Sequence, residues 1–452
     1  MKFGGTSVED ADAFRKVAAI VKSHLTVCPV IVVSAVAGFT SALLASVAKA
    51  IDNDARAATK SLDDYFGRHS SIAEVLLSDG PRQTFETAAA DARRQIRQLH
   101  KIIAAHPVTS PPLQDEIVAY GEYISSLLLA AVLRENGLAA RQVDGRECIR
   151  TDDKYGNAAP LSETTPATQA KLSPLIEAEM IPVVGGFIGS TKDGATTTLG
   201  RGGSDYSAAL IGAALDAREI QIWTDVSGVL TADPKVAPAA RTIPKMSFAE
   251  ASELAYFGAR VLHPKTILPA IRHGIPVRIR NSRAPDDAGT LVAAESEVVP
   301  HTVKAIAYKT GVSIVSVTST RMLGAYGFLR ALFEVFERHR TVVDLVATSE
   351  VSVSLSVDDT STLPAILRDL AALGEPAVET GRAIICIVGE GMRGTPGIAA
   401  RIFTTIRDIN VSLISLGASR INITFVVDES RAPEAVRRLH AALFEAALEP
   451  VA

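Results

Sequence analysis

The stretch Thr196-Thr-Thr-Leu-Gly-Arg-Gly-Gly-Ser-Asp-Tyr-Ser-Ala-Ala-Leu210 has three glycines in one loop, followed by an apolar, alanine-rich segment typical of a buried helix. Gly200, Gly202 and Gly203 allow positive φ angles and a close approach of the backbone to a ligand. Residues 181–189, which precede this loop, have the composition of a strand that ends in glycines. A strand, a glycine-rich turn and a helix in this order predict an α/β fold with an anion site at the turn.

Three polar residues of this loop are candidates for that site. Ser204 and Asp205 are both suited to the N-cap of the following helix, where a side-chain oxygen accepts a first-turn N–H. The remaining N–H groups and the positive end of the helix dipole would then face an anion. Arg201 could bind a carboxylate or a phosphate through two N–H groups. A tight turn with a solvated arginine explains the same residues equally well.

The composition excludes several classes of protein. With 452 residues, 47% of them hydrophobic, the chain can bury a sizeable core divided between two or three domains. A net charge of −4 provides no basic excess for nucleic acid. Cys28, Cys148 and Cys386 show neither metal-ligand spacing nor a disulfide framework, so we expect buried thiols in a reducing cytoplasm. We find no apolar run approaching the length of a membrane span and no signal peptide, and expect a cytoplasmic protein without a membrane partner.

Strand and helix patterns alternate as far as residue 295. Residues 30–33 and 220–225 have the apolar composition of strands in a parallel sheet, and Thr224 and Asp225 end the second one. Open α/β sheets bind ligands at the carboxyl ends of their strands. The following loop, to Lys235, suits a nucleotide, although such loops are common without one. We therefore predict one α/β domain over residues 1–295.

Lys2 and Glu122 are further candidates. Lys2 precedes a Gly4-Gly5 turn and could reach a phosphoryl group during its transfer. Glu122 stands in the middle of a long predicted helix, residues 113–136, where a surface charge is the more ordinary interpretation. The alternative for Glu122 is a carboxylate that binds a substrate ammonium, which helical periodicity alone does not establish.

Residues 257–264 are predicted to end a helix at Pro264. Arg260 and His263 would then lie in its last turn, where cations interact favourably with the helix dipole. Asp79-Gly-Pro81 is predicted to be a turn between helices.

The C-terminal third contains an internal repeat at an offset of 70 residues. The matched pairs are Gly324 and Gly394, Gly327 and Gly397, Phe333 and Phe403, Ser349 and Ser419, Val351 and Ile421, Val353 and Ile423, Leu355 and Phe425, and Val357 and Val427. Each copy has the order strand, helix, strand, strand, helix, which predicts a ferredoxin-like module.

The two copies differ in their charged residues. Asp344, Thr348 and Glu350 of the first copy correspond to Ile414, Ala418 and Arg420 of the second. The carboxylates of the first copy could hold a cationic small molecule. Surface charges at a sheet edge are the simpler interpretation of Asp344 and Glu350 from the residues alone.

Five segments together carry a family resemblance. They are Lys2-Phe-Gly-Gly-Thr-Ser7, Thr197-Thr-Leu-Gly-Arg-Gly-Gly-Ser-Asp205, Trp223-Thr-Asp225, Phe257-Gly-Ala-Arg-Val-Leu-His-Pro264 and Val343-Asp-Leu-Val-Ala-Thr-Ser-Glu-Val351. In identity and order they resemble the signature segments of the aspartate kinase family, over nearly the whole chain. The resemblance implies an amino-acid-kinase fold, an open and mainly parallel sheet between helices, over residues 1–295. Two ferredoxin-like ACT domains would follow: the first, residues 311–380, inserted into the second, residues 300–310 and 381–452.

The resemblance implies a reaction in which ATP phosphorylates the β-carboxylate of L-aspartate, giving ADP and 4-phospho-L-aspartate. This is the first step of lysine, threonine and methionine biosynthesis. The acceptor carboxylate is already ionised at neutral pH, so no general base is needed. Catalysis would rest on in-line positioning and on neutralisation of charge over the transferred group, with Mg²⁺ bridging the phosphates.

The same resemblance implies a role for each site residue. Lys2 would stabilise the transferred group together with the amides of Gly4 and Gly5, and Asp205 would orient Lys2 or the metal. The substrate positions are Thr40, Glu122 for the ammonium, Arg201 for the α-carboxylate, Gly202, Gly203 and Ser204. The nucleotide positions are Thr224, Asp225, Leu230, Lys235, Arg260 and Val261.

The first ACT module resembles the lysine-sensitive branch of the family. The effector positions are Met322, Ala325, Phe328, Leu329, Val343, Asp344, Thr348, Ser349 and Glu350. This similarity implies feedback inhibition by L-lysine at a site formed where two ACT modules pair across a dimer, in a homodimer or a dimer of dimers. No dehydrogenase domain is expected after the second repeat.

Three features depart from the family pattern. The family has an apolar strand before the Lys-Phe-Gly-Gly segment, and here Lys2 follows Met1 directly. Arg260 replaces a typical lysine, which keeps the charge and changes the geometry at the phosphates. Leu230 replaces a frequent aromatic residue at the nucleotide.

Two other functions are compatible with the sequence. One is a kinase for another acceptor, such as glutamate or a nucleotide, against which the duplicated tail and the pair Arg201 and Glu122 argue. The other is a catalytically weak regulatory or amino-acid-binding subunit, which the departure at the N-terminus suggests.

Overall fold

The computed structural model describes residues 1–257, 264–294 and 303–445. Within them the chain divides into two compact units. The first comprises residues 1–229, 244–248 and 264–294, and the second comprises residues 230–243, 249–257 and 303–445.

The elements up to residue 294 are, in chain order, β1 (Lys2–Phe3), α1 (Ala11–Ser23), β2 (Ile31–Val33), α2 (Phe39–Ile51), α3 (Ala55–Lys60), α4 (Asp63–Leu76), α5 (Asp79–Ala105), α6 (Ser110–Glu135), β3 (Ala140–Val143), α7 (Gly145–Cys148), α8 (Thr164–Glu177), β4 (Ile181–Gly185), β5 (Ile188–Ser190), β6 (Thr196–Thr198), α9 (Gly203–Ala214), β7 (Ile220–Thr224), β8 (Lys245–Ser247), α10 (Phe248–Tyr256), α11 (Pro264–Arg272), β9 (Val277–Asn281) and β10 (Thr290–Ala293). The elements from residue 303 onward are β11 (Ala305–Thr318), α12 (Phe328–Arg338), β12 (Val346–Thr348), β13 (Ser352–Val357), α13 (Leu363–Leu370), β14 (Glu375–Val388), α14 (Ile398–Thr405), β15 (Val411–Leu416), β16 (Asn422–Asp428) and α15 (Ala432–His440).

The first unit is built on an eight-stranded sheet in the order β3-β4-β2-β1-β7-β9-β10-β8. Neighbouring strands from β3 to β9 are parallel, and β10 is antiparallel to β9. The carboxyl ends of β1, β2, β4 and β7 therefore meet at one edge, where the turns that follow them can form a common site. The prediction of an open, mainly parallel sheet is confirmed.

The shortest strand of this sheet lies at its centre. β1 has two residues, yet it pairs with β2 on one side and β7 on the other. Val32 N–H donates to the Met1 carbonyl at 2.9 Å, and the buried rings of Phe3 and Trp223 stack 6.0 Å apart. In the family pattern an apolar strand precedes the Lys-Phe-Gly-Gly segment; here Lys2 and Phe3 are themselves the central strand.

The second unit contains a six-stranded antiparallel sheet in the order β12-β13-β11-β14-β16-β15. β11 and β14 are long strands that pair along their whole length, with irregular register between Lys309 and Ile314. Residues 312–318 in β11 and 382–388 in β14 are equivalent positions of the 70-residue repeat. Each long strand therefore contributes one part to the first copy and another part to the second copy. Each copy has its own core between sheet and helices. The two predicted ferredoxin-like modules are confirmed.

Several local predictions are wrong. The N-cap of α9 is Gly202, at φ 73°, and the cap makes no side-chain hydrogen bond; Ser204 and Asp205 lie in the first turn. Pro264 begins α11 rather than ending a helix, because proline lacks an N–H and fits a first helical position. For the same reason Asp79-Gly-Pro81 is the first turn of α5 rather than an interhelical turn.

Two broader expectations also need correction. Cys28 is exposed, whereas Cys148 and Cys386 are buried as expected. α6 is long and apolar enough to span a membrane by length and composition, contrary to the expectation that no segment is. Of its most apolar stretch 78% is buried in the protein, as in the core helix of a globular domain.

Candidate active site

A cavity of about 610 Å³ opens in the first unit, beside the residues that follow β1, β2 and β4. The predicted site residues that line it are Lys2, Gly5, Thr40, Glu122, Arg201, Gly202, Gly203, Ser204 and Asp205. These residues come from β1 and the turn after it, from α2 and α6, and from the first turn of α9 and the residues just before it, so the fold brings together positions up to 203 residues apart in sequence.

Lys2 and Asp205 form an ion pair inside this cavity. The Lys2 ammonium lies 2.7 Å from Asp205 Oδ1, and both side chains are largely buried. The contact is a charge interaction without hydrogen-bond geometry, since Asp205 Oδ1 has no hydrogen-bond partner within the described part of the chain. Gly4 lies beside this cation, since a Cβ added there would be in van der Waals contact with the Lys2 ammonium at 3.6 Å.

Glu122 lies in the wall of the cavity and is only 3% exposed, so the interpretation as a surface charge is wrong. Gly121 allows this placement because a Cβ there would lie 2.9 Å from the Ala35 side chain. Burial raises the pKa of Glu122 to about 8, against the N–H of Ala35 and the nearby Lys2, which favour the charged form. Among the described residues, Glu122 Oε2 has no hydrogen-bond partner. A buried carboxyl with one unpartnered oxygen is suited to bind a cation from outside the chain.

The glycine-rich turn forms another side of the cavity. Gly200 and Gly202 have φ angles of 76° and 73°, which favour glycine. A Cβ added to Gly203 would lie 2.4 Å from the Phe187 ring, so this close packing also requires glycine. Arg201 lies between Gly200 and Gly202, and its exposed side chain lines the cavity. The turn thus presents a guanidinium in the same cavity as Glu122.

Several other residues line the cavity that were not predicted from the sequence, including Ser34, Ser41, Asp115, Phe187 and Thr198. Asp115 was detectable in principle. It lies seven residues before Glu122 on α6, which places both on the same face of the helix.

The predicted nucleotide residues are divided between the units. Thr224 ends β7 and Asp225 follows it in the first unit, and Gly4 N–H donates to the carbonyl of the adjacent Trp223 at 3.0 Å. Leu230 and Lys235 belong to the second unit. Leu230 is half-buried and bridges to Thr242, whereas Lys235 is exposed. None of these four residues lines the cavity. Arg260 and Val261 lie outside the described residues.

The predicted effector residues lie in the first repeat of the second unit. Met322, Phe328 and Val343 pack against the core of that module. The others, apart from Asp344, are exposed: Ala325, Leu329, Thr348, Ser349 and Glu350.

Asp344 differs from these because its carboxylate is already bound. Its side chain is 3% exposed, so it is not a surface charge; Oδ2 lies 3.0 Å from the Lys309 ammonium and Oδ1 accepts the hydroxyl of Tyr256. Lys309 also pairs with Asp358, 2.6 Å away. Burial opposes the charged form of Lys309, but the hydrogen bonds to Asp358 and Asp344 outweigh it and raise its pKa. We call Asp344, Lys309, Tyr256 and Asp358 the Asp344 cluster.

Comparison with known proteins finds a family match in each of the two parts of the chain. Residues 1–281 match the amino acid kinase family, and residues 385–443 match the ACT domain. The chain is 38% identical to the lysine-sensitive aspartokinase 3 of Escherichia coli K12, with 98% of both chains covered. It is 39% identical to a chloroplastic aspartokinase 3 of Arabidopsis thaliana, over 98% of this chain and 81% of that protein.

Two solved structures of E. coli aspartokinase III have a similar fold. The complex with aspartate and ADP, in the R-state, matches with a TM-score of 0.84 over 98% of this chain and 99% of that chain. The complex with lysine and aspartate, in the T-state, matches with a TM-score of 0.80 over 98% of both. Both are 38% identical to this chain.

Proposed function

Because this chain belongs to the aspartokinase family, which phosphorylates the side-chain carboxylate of aspartate with ATP, we propose how its own residues carry out that reaction. The observation that carries the proposal is that one cavity contains both an acidic and a basic side chain: Glu122, buried and with one oxygen unpartnered, and Arg201, exposed within the same cavity. An α-amino acid presents an ammonium and a carboxylate, which match these two groups. Glu122 binds the ammonium and Arg201 binds the α-carboxylate.

Substrate held in this way directs its side chain toward the residues that neutralise the transferred phosphoryl group. Lys2 supplies the positive charge, and the amides of Gly4 and Gly5 add hydrogen-bond donors. Asp205 holds the Lys2 ammonium through their 2.7 Å contact. Thr40, Gly202, Gly203 and Ser204 complete the substrate-binding wall. No proton has to be removed from the acceptor, so positioning and charge neutralisation account for the catalysis.

ATP supplies the phosphoryl group, and Mg²⁺ is expected with it. Magnesium is usually bound by one or two carboxylates together with substrate phosphates. Asp205 lines the cavity and has an oxygen that could contribute to such a site. Thr224, Asp225, Leu230, Lys235, Arg260 and Val261 are the residues proposed for the nucleotide.

L-Lysine is the proposed feedback inhibitor, bound by the effector residues of the first ACT module. The structure with lysine described for the E. coli relative supports this choice of ligand. The proposed domains are residues 1–295 for the kinase, 311–380 for ACT domain 1, and 300–310 with 381–452 for ACT domain 2. A homodimer or a dimer of dimers through the ACT domains, and a cytoplasmic location, belong to the same proposal.

The experiment is ATP-dependent hydroxamate formation by the purified chain with aspartate, with glutamate and without an acceptor. We expect product with aspartate alone, reduced by millimolar lysine. Preference for glutamate would support a kinase for another acceptor. No acceptor-dependent product would support an amino-acid-binding subunit. Unchanged activity with lysine would contradict the effector assignment and leave the kinase assignment intact.

A further inference from the structure

We propose that Asp115 is a positioning residue for the substrate-binding turn, which it holds through hydrogen bonds to Thr198 and to Gly156. This inference rests on the proposed role of Arg201 in binding the α-carboxylate. Asp115 is 1% exposed and borders the same cavity as Arg201.

The carboxylate of Asp115 accepts three hydrogen bonds from two separate segments, the loop at Gly156 and the end of β6. Oδ2 accepts the N–H of Gly156 at 2.9 Å and the N–H of Thr198 at 2.8 Å, and Oδ1 accepts the Thr198 hydroxyl at 3.0 Å. Burial raises the pKa of Asp115 while these three bonds lower it. An ionisable group kept in a buried position at such a cost calls for a role beyond filling space.

The contacts continue from Thr198 to Arg201. Thr198 is the last residue of β6, and its carbonyl accepts the N–H of Ala158 at 2.9 Å. Gly200, at φ 76°, packs against the same loop, because a Cβ there would lie 2.9 Å from Asn157 Oδ1 and 3.1 Å from the Gly156 carbonyl.

Gly203 N–H closes the turn onto the Gly200 carbonyl at 2.9 Å. Asp115 thus holds the loop at Gly156 and the end of β6 at Thr198. These two segments determine the position of the Arg201 backbone. A displacement of this backbone would move the guanidinium away from the α-carboxylate, which weakens aspartate binding without touching the nucleotide.

Two substitutions separate this role from simple packing. Asp115→Leu keeps most of the volume and removes every acceptor. Asp115→Asn keeps an oxygen for the two N–H groups, and its amide can donate to the Thr198 hydroxyl, so the bonds can be rebuilt. Asp152→Ala is the matched control, because Asp152 Oδ1 accepts a hydrogen bond from the N–H of Ala159 at 2.8 Å in the same loop. Asp152 is half-buried and does not line the cavity.

We expect Asp115→Leu to raise the aspartate KM at least tenfold and to change the ATP KM less than twofold. Asp115→Asn should remain within about threefold of wild type for aspartate, and Asp152→Ala within twofold for both substrates. The proposal is overturned if Asp115→Leu leaves the aspartate KM unchanged, raises both KM values in parallel, or is matched by Asp115→Asn.

A second readout does not depend on the reaction. Amide hydrogen exchange at Thr198 and Gly156 should accelerate at least tenfold in Asp115→Leu and remain near wild type in the other two variants. Unchanged exchange in Asp115→Leu would overturn the positioning role. Wild-type protein inactive with aspartate would contradict the proposed function instead, and the exchange result would still decide the role of Asp115.

Discussion

Glu122 and Asp344 are two buried carboxyl groups with opposite surroundings. Glu122, in the first unit, has an oxygen without a hydrogen-bond partner in the described part of the chain, and burial raises its pKa to about 8. Asp344, in the second unit, has both oxygens occupied by Lys309 and Tyr256. The first carboxyl is left for a ligand and destabilises the empty protein, whereas the second is satisfied by the chain itself.

This difference fits two kinds of binding. A substrate cation has to bind in every catalytic cycle. A carboxyl that has an unpartnered oxygen in the empty protein makes the free energy of binding that cation more favourable. A cationic effector at the proposed site would have to compete with groups of the chain, which lowers its apparent affinity, so higher concentrations are needed for binding. The two sites therefore suggest how one chain could use carboxylates both for turnover and for regulation.

The largest expected effect comes from removing Arg201, the proposed partner of the substrate α-carboxylate. Arg201→Ala should lower kcat/KM for aspartate, with a loss of about 2–5 kcal/mol in transition-state stabilisation. The reason is that the α-carboxylate of the bound substrate would be buried in the cavity without its proposed partner. Steady-state kinetics with aspartate measures this effect, and the ATP KM serves as the internal reference. An aspartate KM and kcat near wild type would contradict the assigned role.

The next effect concerns stability. The pKa of Glu122 is raised in the folded state, so between about pH 4.5 and 8 the folded protein retains a proton that the unfolded chain releases. As the pH rises through this window, the free energy of unfolding of the wild-type protein should therefore decrease relative to that of Glu122→Gln. The decrease should be up to roughly 1.4 kcal/mol per pH unit. Denaturant unfolding at pH 5 and pH 8 tests this expectation.

Glu116→Gln is the control for this measurement, because Glu116 lies half-buried on the same helix and does not line the cavity. Its stability relative to wild type should stay nearly constant across the window. Glu122→Gln should at the same time lose aspartate binding. If the difference in free energy of unfolding between wild type and Glu122→Gln were also the same at pH 5 and pH 8, Glu122 would not retain its proton on folding.

Aspartate binding should itself depend on pH. An ammonium bound at Glu122 favours the ionised carboxylate, so aspartate binding below about pH 8 should release one proton. The dissociation constant should fall up to about tenfold from pH 6 to pH 7 and level off near pH 8. Calorimetry in buffers of different ionisation heat counts the protons, and absence of proton release at pH 7 would argue against Glu122 as the partner.

The smallest effect is expected at the Asp344 cluster. Lys309→Met and Tyr256→Phe each free one oxygen of Asp344, so lysine should inhibit at concentrations about three- to tenfold lower, in keeping with a partly exposed ion pair. Arg338→Met removes an exposed ion pair with Asp369 in the same module and is the control. Unchanged or weakened inhibition in both cluster variants would mean that the effector does not compete for Asp344.

Much of the site was predictable because the relevant signals are local. The glycines at 200, 202 and 203 indicated the turn, and the strand at residues 220–225 indicated the sheet edge. The N-cap prediction failed for a tertiary reason: the Asp205 side chain pairs with the Lys2 ammonium, and Gly202 takes the cap position. Asp115 was missed because its hydrogen-bond partners, Gly156 and Thr198, lie 41 and 83 residues away in sequence.

By itself, the sequence determined the alternation of strands and helices, the 70-residue repeat and the family motifs, because each depends on spacing within a segment. Only the tertiary structure decided which buried charges have partners. Glu122 remained compatible with a surface charge, and Asp344 with a sheet edge, until the packing of distant residues was known. The reason is that the free energy of a buried charge depends on its surroundings in space, and for Lys2 and Asp205 or Asp344 and Tyr256 those surroundings come from remote parts of the chain.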